Sequence, residues 1–334
     1  MNEEDRAEQF LRDVSPDELV VILYHGDPDG ISGAVMVYLA LESRKCRKLT
    51  PVALGRGENP FSEATLKELE RVSPDRLVVI DSGSREGRFS EGVRALIIDH
   101  HVPHGNPEVE VFFSSYLDGT ERIASEAAYD VARRIVDHPD FGFYVLIGIG
   151  GDLGLDKVPS RFRDEVRKYG RKKVYQCVTL MNAARRHHDF DANALFRMLR
   201  LSTSAEKFLG RARSEGLANL REEVNRDLRR NLKVPPRFRG KFALLDFKSP
   251  HQIHPLIAVI WAGRLEGYVV IAANRGYLPG MVNFSMRTSM DMDLLELLRE
   301  YRMEGEEIGY GHRKATGGIL PRSSFDKFLR RLGF

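Results

Sequence analysis

Three compact apolar runs mark the first part of the chain. Leu19-Val20-Val21-Ile22-Leu23-Tyr24, Leu77-Val78-Val79-Ile80 and Ala95-Leu96-Ile97-Ile98 are short and rich in β-branched residues. Such runs suit strands buried on both faces. Helical spacing follows from Gly33 to Glu42 and from Ala124 to Val136, and a second apolar helix leads from Phe141 into Gly150-Gly151-Asp152. Strand-like and helix-like segments therefore alternate, which predicts an α/β domain with a parallel, Rossmann-like sheet. From Pro159 to about Leu232 the pattern is helical and basic, without clear strands. Pro235-Pro236 cannot continue a helix and marks a boundary. Beyond it, Phe242 to Phe247, Tyr268 to Ala273 and Val282 to Met286 read as strands, and Ser324 to Leu332 as a closing helix. The expected division is a domain over 1–190, a basic helical connector over 191–236 and a smaller α/β domain over 237–334.

Composition narrows the class. The chain has 334 residues, 42% of them apolar and 30% charged, which is globular rather than disordered. No apolar run is long enough to span a bilayer, and the N-terminus opens Asn2-Glu3-Glu4-Asp5, acidic where a signal peptide is basic. Cys46 and Cys177 stand alone, so neither a thiolate metal site nor a disulfide framework is expected, and a reducing cytoplasm is the default location. The net charge of +3 hides an asymmetry: Leu155 to Gly240 holds 22 Lys/Arg against 10 Asp/Glu. A basic middle between acidic ends suits a polyanionic partner, although solvated helix faces give the same pattern.

The chemistry lies at the strand ends. His25 with Asp27 and Asp29 follows the first run, Asp81 the second, and Asp99-His100-His101 the third. In open α/β sheets the ligand crevice lies beyond the carboxyl ends of the strands. Groups placed there meet although they are far apart in sequence. Taken singly, each has an ordinary explanation: Asp27-Pro28-Asp29-Gly30 is a good turn, and an Asp after a strand often caps a helix. Three strands ending this way point instead to a shared site. So many carboxylates would repel unless protons or cations neutralised them. Oxygen and imidazole donors without thiolate suit manganese, magnesium or similar ions.

These residues resemble the motifs of the DHH phosphoesterases. His25-Gly26-Asp27-Pro28-Asp29-Gly30-Ile31-Ser32-Gly33 is similar to the first motif and Ile80-Asp81-Ser82-Gly83 to the second. Ile98-Asp99-His100-His101 matches the signature that names the family, and Gly148-Ile149-Gly150-Gly151-Asp152 resembles the fourth motif. Near the C-terminus, Gly311-His312-Arg313-Lys314-Ala315-Thr316-Gly317-Gly318 is similar to the Gly-rich loop of the DHH-associated domain. It departs from that pattern at Tyr310 and Thr316. Phe284-Ser285-Met286-Arg287 resembles the strand from which that domain aims an Arg at substrate.

The resemblance implies two divalent cations, manganese preferred and magnesium the alternative. Asp81 would bridge them, with Asp27, Asp29, His100, Asp152 and His25 completing the ligand set. Asp99 and His101 would be catalytic, Asp99 orienting a histidine and His101 meeting phosphate or leaving group. Arg287, Gly311, His312, Gly317 and Gly318 would bind substrate. The implied function is a manganese-dependent exonuclease on single-stranded nucleic acid, similar to the archaeal DHH exonucleases that work 3′-5′ on single-stranded DNA alongside a repair helicase. The choice between DNA and RNA stays open, and no membrane partner is implied. The basic segment, with Arg171-Lys172-Lys173, Arg185-Arg186-His187-His188 and Arg229-Arg230, could track a strand, and Phe190, Phe196 and Phe208 could stack bases, though at helical spacing they suit a core. Two alternatives compete: a nanoRNase or 3′-phosphoadenosine phosphate phosphatase acting on short substrates, and a non-catalytic helicase-associated scaffold.

Overall fold

The computed structural model describes residues 2–301 and 308–334, with 308–312 described by backbone alone. The chain divides into two compact units. One comprises Met1–Arg185 with Asp191–Ala218, the other Arg186–Phe190 with Asn219–Phe334. The basic helical stretch is thus shared between them.

In the first unit the order is α1 (Glu3–Arg12), β1 (Leu19–Tyr24), α2 (Pro28–Ser43), β2 (Lys48–Ala53), α3 (Glu63–Val72) and β3 (Arg76–Ile80). The short β4 (Arg85–Gly87), β5 (Arg94–Asp99), β6 (His104–Pro107) and β7 (Val111–Ser114) lead to α4 (Ala124–Ile135) and α5 (Phe141–Asp152). Helices α6 (Arg163–Tyr169), α7 (Arg171–Arg186), α8 (Ala192–Arg200), α9 (Ala205–Ser214) and α10 (Leu217–Asn231) follow. Five strands form one sheet in the order β2-β1-β3-β5-β7, every neighbouring pair parallel. β4 and β6 make a separate parallel pair.

This order has a consequence for function. From β1 the chain turns to one side to make β2, then returns to make β3 on the other, so the topological switch lies between β1 and β3. Ligands of doubly wound sheets bind at that point, beyond the carboxyl ends. β1 and β3 are buried over almost their whole length, as their apolar runs require. The two strands of this sheet not expected from the sequence, β2 and β7, are its edges. Lys48-Leu49-Thr50-Pro51-Val52-Ala53 is only partly buried and carries a Pro, which an edge strand tolerates. α2 is apolar on nearly every side, and Ile31, Ala34, Val35, Met36 and Val37 are fully buried. It is an inner helix, and its first turn carries the site.

The second unit contains β8 (Arg237–Arg239), β9 (Phe242–Phe247), α11 (His254–Ala262), β10 (Val269–Asn274), β11 (Met281–Thr288), α12 (Leu294–Tyr301), β12 (Ile308–His312), β13 (Ala315–Pro321) and α13 (Arg322–Arg331). Its sheet runs β12-β13-β11-β10-β9-β8, with β9 and β10 parallel and the other neighbours antiparallel. Side chains of β9 alternate between two cores. Phe242 and Leu244 join Phe284, Phe325 and Phe328, while Ala243 and Leu245 join Ile257 and Ala258.

The segment expected as a Gly-rich loop is instead a hairpin. β12 and β13 pair around Arg313-Lys314, and Gly317 and Gly318 lie within β13 opposite Ser285 and Phe284. A Cβ on Gly317 would sit 2.3 Å from the Phe284 carbonyl oxygen, so close strand approach explains that glycine. Phe196 and Phe208 are buried core residues, Phe196 stacking on Tyr24 at 5.4 Å, which removes them as base-stacking candidates.

Candidate metal centre

Each predicted group follows from a local structural cause. The first strand ends when the His25 N–H donates to the Ile80 carbonyl at 3.1 Å. Asp27 then caps α2, its Oδ1 accepting from the N–H groups of Asp29 (3.0 Å) and Gly30 (3.1 Å). The capping explanation and the ligand explanation are compatible, because Oδ2 is left to face His25 Nδ1 at 3.2 Å. Asp81 lies just past β3 with φ at +59°, a left-handed conformation uncommon outside glycine. Strain of this kind persists where its surroundings fix it, and clusters at functional sites.

Asp81 lies at the centre of the site. Its Oδ2 is 3.5 Å from His25 Nδ1, and its Oδ1 is 3.3 Å from His100 Nε2 and 3.8 Å from His101 Nδ1. Two groups of three have ligand atoms within 4.8 Å of one another: His25-Asp27-Asp81 and Asp81-His100-His101. Asp81 is common to both.

Asp29 is shared between the site and the scaffold. Its two oxygens accept from the N–H groups of Ser125 (2.9 Å) and Ala124 (3.0 Å) at the start of α4, and Oδ2 also lies 3.8 Å from His100 Nε2. α5 passes close by, and a Cβ on Gly148 would be 2.0 Å from Ser125 Oγ and 3.0 Å from Asp29 Oδ1. That fourth motif therefore lets a helix approach Asp29, and it delivers Asp152 at the helix's last position. Asp152 belongs to neither group of three, but it feels the charges of His100, Asp81 and Asp27.

The electrostatics show what the cluster lacks. Loss of solvent alone would lower His25 and His100, yet the carboxylates outweigh it. Asp27 and Asp81 raise His25 to about 10, and Asp81 with Asp29 raises His100 to about 10. Burial pushes Asp29 well above its usual range, and the Asp81 charge adds to the effect. Asp152 is raised by burial, with Asp81 and Asp27 adding to it against His100. Asp27 goes the other way: burial is outweighed by His25, and its carboxyl sits well below the usual range. Positive charge is held wherever an imidazole can supply it. Yet Asp81 Oδ1 is buried and makes no hydrogen bond. Its nearest donor is His100 Nε2 at 3.3 Å, and a buried carboxylate oxygen without a well-formed hydrogen bond is costly. Carboxylate oxygens and imidazole nitrogens around that atom fit a hard divalent cation, which would replace the protons.

Asp99 has a different role. Fully buried, its Oδ1 meets His101 Nδ1 at 3.0 Å and accepts the Gly83 N–H at 3.1 Å, while Oδ2 accepts the His101 N–H at 3.1 Å. Burial raises it, but His101 outweighs burial and brings it to about 2, so it is a fixed anion. It holds the His101 ring in one orientation. One contributor escaped the sequence reading: the Arg185 charge helps to lower Asp27. In the sequence it was one of many basic residues with nothing to single it out.

In the second unit, Arg287 lies on β11 opposite Val270 and Ala315. Its Nε is buried without a hydrogen-bond partner, and burial lowers its pKa. The side chain of His312 lies outside the described residues, as does Gly311 apart from its pairing with Thr316.

No protein-family model matches the sequence, and no curated protein sequence matches it. Solved structures do match. RecJ from Thermus thermophilus, in complex with Mn2+, is 17% identical with a TM-score of 0.71 over 99% of this chain and 54% of that one. The chain thus spans about half of that protein. An exonuclease RecJ bound to manganese is 18% identical with a TM-score of 0.65, covering 99% of this chain and 94% of that one. The DHH domain of a member of a ribosomal protein family is 14% identical with a TM-score of 0.71, over 99% and 90%. The chain has the fold of the DHH-domain structures. Among the described residues, no helix is long and apolar enough to cross a membrane.

Proposed function

We propose that the chain is a divalent-metal-dependent phosphoesterase that degrades single-stranded nucleic acid from an end. The observation that carries this reading is the buried Asp81 Oδ1, beside imidazole nitrogens but without a hydrogen bond, between two groups of three ligand-type side chains at the sheet's switch point. His25, Asp27, Asp81 and His100 would hold the cations, with Asp29 and Asp152 adding charge. Bound there, two divalent ions, manganese preferred, would acidify water and neutralise charge on the attacked phosphate. Asp99 keeps the proton of His101 on Nδ1 and so fixes which face of that ring meets substrate. Arg287, with a buried donor unused, suits a phosphate oxygen.

The solved structures with this fold include exonucleases crystallised with manganese, which supports nucleic acid as the substrate class. The basic stretch supports it too, although part of its charge is already paired, as in Lys173–Glu206 and Arg200–Glu42. The narrower reading is 3′-5′ action on single-stranded DNA, RNA being a second substrate, with a DNA helicase as partner. Strands of both sugars, labelled at either end and incubated with Mn2+ or with chelator, test it. A ladder shortening from the 3′ end, abolished by chelator, is expected. Cleavage confined to two- to five-mers would favour the short-substrate phosphatase instead. No hydrolysis of any of these with Mn2+ would refute the proposal.

A further inference from the structure

A second cluster of imidazoles lies in the second unit and includes two residues of the basic segment. His187, His188 and His251 each offer a ring nitrogen within 4.8 Å of the others. Their ring centroids are 4.6, 4.7 and 5.1 Å apart, and His187 and His251 are buried. Three imidazoles packed this way are poor partners for one another. Either they share protons awkwardly or something else takes their lone pairs.

The contacts around them show what each ring nitrogen faces. His188 Nε2 faces Asp189 Oδ2 at 2.8 Å, with Nδ1 on the other side of the ring. That Nδ1 is buried and has no hydrogen-bond partner. His187 Nε2 likewise meets Glu223 Oε2 at 3.0 Å, leaving Nδ1 as the acceptor, with the Asp189 N–H at a long 3.3 Å. His251 Nδ1 is also an acceptor, from the His188 N–H at 3.3 Å. Two of the three rings thus face a carboxylate, and His188 keeps a buried Nδ1 without a partner, as where a carboxylate orients a metal-bound histidine.

We propose that His187, His188 and His251 form a second metal site, selective for Zn2+ or a similar borderline divalent ion, with Glu223 and Asp189 orienting the rings. Three imidazoles with an open fourth position suit tetrahedral zinc far better than manganese or magnesium, which prefer oxygen. The ion would join three pieces of the second unit: the segment at 186–190, α10 through Glu223, and the turn before α11. The backbone already links two of them, since the Gln252 N–H donates to the Arg186 carbonyl at 2.9 Å. The site is independent of the phosphoesterase reading.

Cobalt titration of the full chain tests it, because four-coordinate Co2+ absorbs far more strongly in the visible than six-coordinate Co2+. We expect about one equivalent of strongly coloured Co2+, displaced by Zn2+, in the wild type and equally in Asp81→Asn. His188→Gln, at the partly exposed position, should weaken Zn2+ binding by about a hundredfold or more, and Glu223→Gln by about ten- to a hundredfold. His251→Gln should remove the colour as well, but that residue is buried, so the two less buried variants decide if it fails to fold. Only weakly coloured Co2+, or colour that persists unchanged in His188→Gln, would overturn the proposal. Colour lost in Asp81→Asn but kept in His188→Gln would place the ion at the strand ends instead.

Discussion

Replacing Asp81 with Asn removes one charge and keeps the shape, so it isolates what that carboxylate does for cations. Asp81 is the residue shared by both ligand groups and lies 3.3–3.8 Å from His25, His100 and His101. At an effective dielectric of about 20, a single charge and a dication about 4 Å apart attract by about 8 kcal/mol. If ligand reorganisation and the amide oxygen recover two thirds of that, about 2.7 kcal/mol is still lost, a factor of about 100 in affinity. A ligand at 100 times its Kd stabilises the folded state by about 2.7 kcal/mol, and this falls to about 0.4 kcal/mol when binding is a hundredfold weaker. For a unit of this size the first figure raises Tm by about 5–10 °C and the second by about 1 °C. Calorimetry of both proteins with and without Mn2+ reads the difference directly. An Asp81→Asn protein that gained as much from Mn2+ as the wild type would show that Asp81 is not a ligand.

Three further outcomes follow from the same structure. Gly148→Ala gains about 1 kcal/mol of helix propensity but drives a Cβ into Ser125 Oγ beside Asp29. We expect a net loss of about 1–2 kcal/mol in urea unfolding together with weaker Mn2+ binding, and a stabilised protein would contradict the packing account. Arg76 is 2% exposed and bonds Glu18 Oε2 (3.0 Å), the Phe10 carbonyl (3.1 Å) and the Asp13 carbonyl (2.8 Å). Arg76→Met strands the Phe10 and Asp13 carbonyls and takes the cation from Glu18, which still accepts the Ser15 N–H at 2.7 Å, and should cost about 3–5 kcal/mol, whereas a loss below about 1 kcal/mol would mean the carbonyls find water. His254 is pulled down to about 3, first by burial and then by the Arg186 charge, while the unfolded chain takes up its proton near 6.5. Unfolding therefore binds a proton below pH 6.5. His254 stabilises the fold fully above that value and loses about 1.4 kcal/mol per pH unit as the pH falls toward 3. Unfolding at pH 7 and pH 5 should differ less in His254→Met than in the wild type, and equal differences would remove His254 as a source of acid sensitivity.

The buried strands, and the polar residues at their ends, were easier to read in the sequence than the rest of the scaffold. Buried parallel strands announce themselves by unbroken apolar runs, so β1, β3 and β5 were legible, and with them the positions of His25, Asp81 and Asp99-His100-His101. Edge strands carry no such run. β2 contains Pro51 and is half exposed, and β7 has only four residues, so neither could be told from a loop. The hairpin of β12 and β13 was obscured because glycines that relieve crowding between strands look the same as glycines that open a turn. The residues that hold the site in place were hidden for a related reason. Asp29 is held by main-chain N–H groups of Ala124 and Ser125, and backbone donors leave no mark in a sequence. His187 and His188 read as part of a basic run until Glu223 and His251, far along the chain, were seen beside them.

Crystals grown with Mn2+ and measured for anomalous scattering would test the account at its centre. It predicts strong peaks within coordination distance of Asp81, shared with His25 and Asp27 on one side and His100 on the other. A map with no peak there, at Mn2+ concentrations that support hydrolysis, would contradict it.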